Sequence, residues 1–111
     1  MGYDVSPKSL KQFKSKKAKV TNSLEELIKF SDVIITCVPG PKQIKALSIG
    51  KGKIINQLGN NKIWIDCSTN SLTCFNLLKQ KLSKKINQFV DATISGGNLK
   101  AQSGDLSIFI G

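Results

Sequence analysis

The chain has 111 residues, 40% of them hydrophobic, with seventeen basic residues against seven acidic and a formal net charge of +10. That is one small domain, apolar enough to build a core rather than stay disordered, and no apolar run approaches the ~20 residues that cross a bilayer. Every basic residue is lysine, spread along the chain and densest from Lys8 to Lys19, and aromatics are only 6%; readers of nucleic acid lean on arginine forks and aromatic stacking, which disfavours a specific nucleic-acid module.

Strand-like and helix-like segments alternate along the chain. Tyr3 to Val5 reads as the tail of a strand. Pro7 suits a first helical position, and Leu10 and Phe13 fall on one face of the helix that follows. Ala18 to Val20 is a brief strand candidate. Ser23-Leu24-Glu25-Glu26 has the form of a capping box, with Leu24, Leu27 and Ile28 as the buried stripe of its helix. Val33 to Val38 is a near-continuous apolar, β-branched run, the pattern of a strand buried on both faces. Pro39-Gly40-Pro41 stops it, and Pro41 opens a helix through Ile44 and Leu47.

Ile63 to Cys67 is the next strand. Leu72, Phe75, Leu78 and Leu82 mark an amphipathic helix. Phe89, Val90, Ala92 and Ile94 form a strand that empties into Ser95-Gly96-Gly97. A polar segment containing Gly104 then leads to a last apolar run, Leu106 to Ile110. The alternation predicts an α/β fold, a doubly wound, Rossmann-like parallel sheet.

In such sheets ligands bind beyond the carboxyl ends of the strands, which directs attention to Asp4-Val5, Cys37 to Pro39, Asp66 to Thr69 and Asp91 to Gly97. Asp4 suits the ribose hydroxyls of an adenine dinucleotide, or equally the N-terminal end of the Pro7 helix. Pro39 exposes backbone to a ligand or simply ends a strand. Ser68 and Thr69 offer hydroxyls, or cap a helix with Asn70 or Ser71. A Gly-Gly turn lets backbone approach a small anion, or supplies positive φ alone. The three cysteines are too few for a disulfide framework, and Cys37 and Cys67, inside strand-like runs, read as small buried hydrophobes. With no histidine and no closely spaced cysteines, no metal site is expected. With no signal-peptide segment at the N-terminus, a reducing, cytoplasmic compartment is the simplest expectation.

Four blocks together resemble the β-hydroxyacid dehydrogenases, the group that includes 3-hydroxyisobutyrate and 6-phosphogluconate dehydrogenases. Tyr3-Asp4-Val5-Ser6-Pro7, Thr36-Cys37-Val38-Pro39, Ile65-Asp66-Cys67-Ser68-Thr69 and Asp91-Ala92-Thr93-Ile94-Ser95-Gly96-Gly97, the last followed by Gly104-Asp105-Leu106, stand in the family's order. The resemblance implies NAD(P)-dependent oxidation of a small β-hydroxy acid. It places Asp4, Val38, Pro39, Gln43 and Thr69 at the cofactor, and Ser95, Gly96 and Gly97 at the substrate's carboxylate. Asp4 favours NAD, while Ser6 and Lys8 leave NADP open. Thr93 and Leu72 stand where the family has prolines, which implies looser turns.

The phosphate-binding G-x-G-x-x-G turn, expected about 20 residues before the ribose-binding acid, has no match, and Gly50-Lys51-Gly52 lacks the third glycine and the leading strand. The family's catalytic lysine lies in a helical domain downstream of this region, so no catalytic residue is assigned here. The expectation is a partial NAD(P)-binding domain over residues 1–111, without first strand, phosphate loop or catalytic domain, inactive alone and binding NAD no better than millimolar. A missing central strand leaves the edge of Val33 to Val38 open and predicts marginal folding or self-association. The competing readings are a truncated, non-catalytic remnant and a basic nucleic-acid-binding module.

Overall fold

The local rules act first. Pro7 opens helix α1 (Pro7–Ser15), with the Ser6 hydroxyl accepting from the Ser9 N–H at 3.4 Å. Ser23 caps α2 (Leu24–Phe30) through the Glu26 N–H. The reciprocal half of the expected capping box does not form. The Glu26 carboxylate accepts the Thr21 hydroxyl instead, and Thr21 Oγ1 accepts the Ser23 N–H at 3.0 Å. Thr21 thus takes the place of the acid because the preceding strand carries it alongside the helix start.

The computed structural model describes residues 1–111, with every side chain except that of Asn87. The strands are β1 (Gly2–Tyr3), β2 (Val20–Thr21), β3 (Val33–Thr36), β4 (Ile63–Asp66), β5 (Phe89–Ser95) and β6 (Ser107–Ile110). Between them lie α3 (Pro41–Ser48), α4 (Ile54–Gln57), α5 (Leu72–Leu82), a 3₁₀ helix (Ser83–Gln88) and α6 (Gly97–Ser103). β1 pairs only with β2, in parallel, and a second sheet runs in the order β3-β4-β5-β6. Its first three strands are parallel, and β6 returns antiparallel to β5, with Ile94 opposite Ile108. The α/β alternation and parallel pairing are as the sequence predicts. The first strand is shorter than read, ending at Tyr3, and the second, at Val20–Thr21, overlaps the reading only at Val20.

The core lies on one face of the second sheet. Ile28 of α2, Ile34, Ile44 of α3, Ile54 of α4, Trp64 and Leu78 of α5 are buried together. Trp64 stacks at a tilt on Phe89, centroids 4.7 Å apart, an arrangement that adds about 1 kcal/mol beyond the area buried. β3 is not buried on both faces as its composition suggested. Ile34 and Thr36 face the core, whereas Val33 and Ile35 are 48% and 65% exposed. The period-2 alternation of a strand divides its side chains between the two faces, and helices cover only one of them here. The stripe of α5 also differs from the reading: Leu72 is exposed, and Cys74 joins Leu78 and Leu82 in the core. Cys74, Leu78 and Leu82 keep the four-residue step that stacks side chains on one helical face.

Candidate functional site

β3 and β4 end in step, with Thr36 opposite Asp66. Their side chains point the same way into the core, and a buried polar cluster forms where the strands stop. The Trp64 indole N–H donates to Thr36 Oγ1 at 2.9 Å, and the Thr36 hydroxyl donates to Asp66 Oδ1 at 2.8 Å. The same Asp66 oxygen accepts the Ser68 N–H at 3.2 Å, and Ser68 Oγ accepts the Val38 N–H at 2.9 Å. Two turns that leave adjacent strands are thereby tied to each other: Cys37 to Pro39 after β3, and Cys67 to Thr69 after β4. Buried donors and acceptors need partners, so this cluster fixes the turns more firmly than exposed contacts do. Asp66 Oδ2 has no hydrogen-bond partner among the described residues. Ser68, read as a ligand hydroxyl or helix cap, is buried and holds the turns together; Ser71 caps α5 by accepting the Cys74 N–H at 3.2 Å.

Beside these turns lies a cavity of about 440 Å³ between β1, β3 and α3. Asp4, Val38, Pro39 and Gln43 all line it, although they come from the end of β1, the turn after β3 and the first turn of α3. The remaining wall is largely apolar and includes Ile34 and Leu47. Asp4 is half-buried, and its Oδ1 accepts the Ser6 N–H at 2.7 Å, which orients the carboxylate locally. Thr69 is exposed on the turn after β4 and is outside the lining of the cavity. Ser95, Gly96 and Gly97 are exposed at the end of β5, also outside that lining. The structure therefore brings four of the five candidate cofactor residues together and sets the glycine turn apart from them.

The glycine turn has a steric reason for its composition. Gly96 has φ +136°, and a Cβ there would stand 2.8 Å from Lys100 Cδ and 3.2 Å from Leu106 Cδ2. Gly97 has φ +68° and faces open space. Thr93, where the resembling family has proline, sends its hydroxyl to the Ser68 carbonyl at 3.2 Å. That bond anchors β5 to the turn after β4, which supplies by hydrogen bonding some of the rigidity that a proline ring would supply covalently.

Two groups at this edge are displaced from their ordinary ionisation. Burial pushes the Asp91 carboxyl up, the nearby Asp66 adds to the effect, and a bond from Thr93 partly offsets it. Burial pushes the Cys67 thiol up, with Cys37 and Asp66 adding to it. Cys37 is exposed, contrary to the buried role its strand-like surroundings suggested. It shares the open-face parity of Val33 and Ile35. No group of three or more metal-ligating side chains occurs among the described residues.

The protein-family model described as the NAD binding domain of 6-phosphogluconate dehydrogenase matches residues 1–111. Mitochondrial 3-hydroxyisobutyrate dehydrogenase of Mus musculus is 31% identical over 109 residues, covering 98% of this chain and 32% of the relative. Among solved structures, the 3-hydroxyisobutyrate dehydrogenase of Mycobacterium tuberculosis with L-serine superposes with a TM-score of 0.84 at 22% identity, covering 99% of this chain and 37% of that one. Psf3 in complex with NADP+ and 2-OPP superposes with a TM-score of 0.86 at 18% identity, covering 96% and 38%. The chain thus spans about a third of the length of the relatives it matches.

Proposed function

Because this chain belongs to the NAD-binding-domain family of 6-phosphogluconate dehydrogenase, we propose that it is the cofactor-binding unit of an oxidoreductase acting on a small β-hydroxy acid. The observation that carries this reading is the convergence of Asp4, Val38, Pro39 and Gln43 on one cavity at the carboxyl ends of the strands. The donor set suits a nicotinamide dinucleotide. A carboxylate at Asp4 accepts hydrogen bonds from ribose hydroxyls and disfavours a 2′-phosphate. The apolar wall and the Val38-Pro39 turn suit a flat aromatic ring. When bound, the cofactor supplies the hydride acceptor for the carbinol carbon of the substrate.

The chain's own residues bind and orient. Val38, Pro39, Gln43 and Thr69 hold the cofactor, and Ser95, Gly96 and Gly97 take the substrate's carboxylate through a hydroxyl and backbone N–H groups. No general base is assigned within residues 1–111. In this reading the chain alone binds the cofactor weakly and does not turn substrate over, the remaining chemistry belonging to parts represented in its longer relatives. NADP is the alternative cofactor, with Ser6 and Lys8 near enough in sequence to Asp4 to meet a phosphate.

The Asp4 assignment is tested by comparing NAD and NADP binding to wild type and Asp4→Ala. Loss of hydrogen bonds to a charged group predicts about tenfold weaker NAD binding, with NADP binding unchanged or tighter because the carboxylate no longer repels the 2′-phosphate. Equal losses for both dinucleotides, or none for either, would remove Asp4 from the ribose.

We also propose that copies of the chain associate through the open edge of β3, where Val33 and Ile35 are exposed beside unpaired backbone groups.

A further inference from the structure

The turns after β3 and β4 bring two cysteines together that lie far apart in sequence. Thr36 and Asp66 are the last paired residues of these parallel strands. Cys37 and Cys67 are the next residue on each, and the Cys67 N–H donates to the Thr36 carbonyl at 2.7 Å, which carries the ladder one step further. Strand alternation sends both side chains to the face opposite the buried Thr36–Asp66 bond. Neighbouring strands lie about 4.8 Å apart, within the Cα separation of about 4.4–6.8 Å that a disulfide spans. Cys37 is exposed and also lines the cavity, Cys67 is half-buried, and Cys74 is buried with its thiol against the Pro41 carbonyl.

We propose that Cys37 and Cys67 form an oxidisable dithiol that closes to a disulfide between the carboxyl ends of β3 and β4. The oxidant is a low-molecular-weight disulfide. The Cys37 thiolate, being exposed, attacks one sulfur of that disulfide and expels a small thiolate, leaving a mixed disulfide on Cys37. The Cys67 thiolate then attacks the Cys37 sulfur and expels the second small thiolate. Two protein thiols are oxidised, one small disulfide is reduced to two thiols, and the protons leaving Cys37 and Cys67 end on those thiols. Cys67 is held up by burial and by the neighbouring Cys37 and Asp66, so little of it is thiolate at neutral pH and closure quickens as pH rises. A crosslink whose Cys37 sulfur is exposed is open to attack by a small thiol, which suits a reversible modification rather than a structural bond.

The test is to incubate the folded 111-residue chain with oxidised glutathione at neutral and mildly alkaline pH and follow intact mass under non-reducing conditions. The expected product is lighter by two hydrogens, forms faster at the higher pH and returns to the starting mass with a thiol reductant. Cys67 and Cys74 share one tryptic peptide, so the link is located by fragment-ion sequencing of the wild type and confirmed in Cys74→Ser. A glutathione adduct that persists on Cys37 without closure would overturn the proposal. So would a link to Cys74, or a protein whose mass does not change.

Discussion

The buried cluster at the ends of β3 and β4 shows how much a single side chain carries. Asp66 is fully buried and accepts from both the Thr36 hydroxyl and the Ser68 N–H. Asp66→Ala removes both acceptor contacts and is expected to cost about 2–4 kcal/mol in urea unfolding, whereas Asp66→Asn, which keeps an acceptor oxygen, costs less than half of that. Equal costs for the two variants would contradict the assignment of those bonds. Asp91 behaves in the opposite sense. Its folded carboxyl titrates above the ordinary value of 3.8, so the native state binds more protons than the unfolded chain across that interval, and stability falls as pH rises through it. Asp91→Asn is therefore expected to raise the melting temperature at neutral pH, with the gain vanishing once the pH lies below the unfolded carboxyl's range. A gain that persists unchanged into acid would show that charge is not its cause. Gly96 is the remaining sensitive residue: Gly96→Ala puts a Cβ into Lys100 and Leu106 at φ +136°, a strain of about 1–3 kcal/mol. Gly97→Ala meets no neighbour and is expected to be the milder change in the same unfolding measurement.

At the scale of elements, the alternation of strands and helices was legible because apolar runs, prolines and caps act within a few residues of one another. Pro7, Pro41 and Ser23 open their helices, and the apolar core of β3 and β4 sits where the β-branched runs lie. What escaped was set by distant partners. Val33 to Val38 reads as buried on both faces, yet whether Ile35 is covered depends on what packs there, which its own neighbours in sequence do not encode. Leu72 satisfies the helical spacing but lies at the first position of α5, before the helix has turned its face to the core; Cys74 is the residue that enters it. Helix α4 and the 3₁₀ turn after α5 are too short for periodicity to signal them. At the site, Asp4, Val38 and Pro39 were marked by their positions at strand ends and Gln43 by the family resemblance alone, whereas the tie between Ser68 and Val38 spans thirty residues and follows only from the strand register. Thr93 illustrates the same gap. It reads as a loss of proline rigidity, and the compensating bond to Ser68 is visible only once β4 and β5 are side by side.

At the scale of the molecule, the strands divide into two sheets, β1-β2 and β3-β4-β5-β6, with the cavity between them. The free edge of β3, which borders that cavity, and its open face are the surfaces through which self-association is proposed. Ile35→Lys places a charge on that face at a residue already 65% exposed, so it is expected to raise the monomer fraction in light scattering without lowering stability by more than about 0.5 kcal/mol. A wild type that is monomeric at the same concentration would contradict the association. The central claim, that this cavity takes a nicotinamide dinucleotide, is tested most directly by titrating the isotopically labelled chain with NAD and following backbone amide shifts, which register even millimolar affinity. Binding there is expected to give saturable shifts concentrated at Asp4-Val5, Val38, Gln43 and Thr69. Shifts confined to the lysine-rich stretch from Lys8 to Lys19, or a spectrum unchanged at saturating NAD, would contradict it.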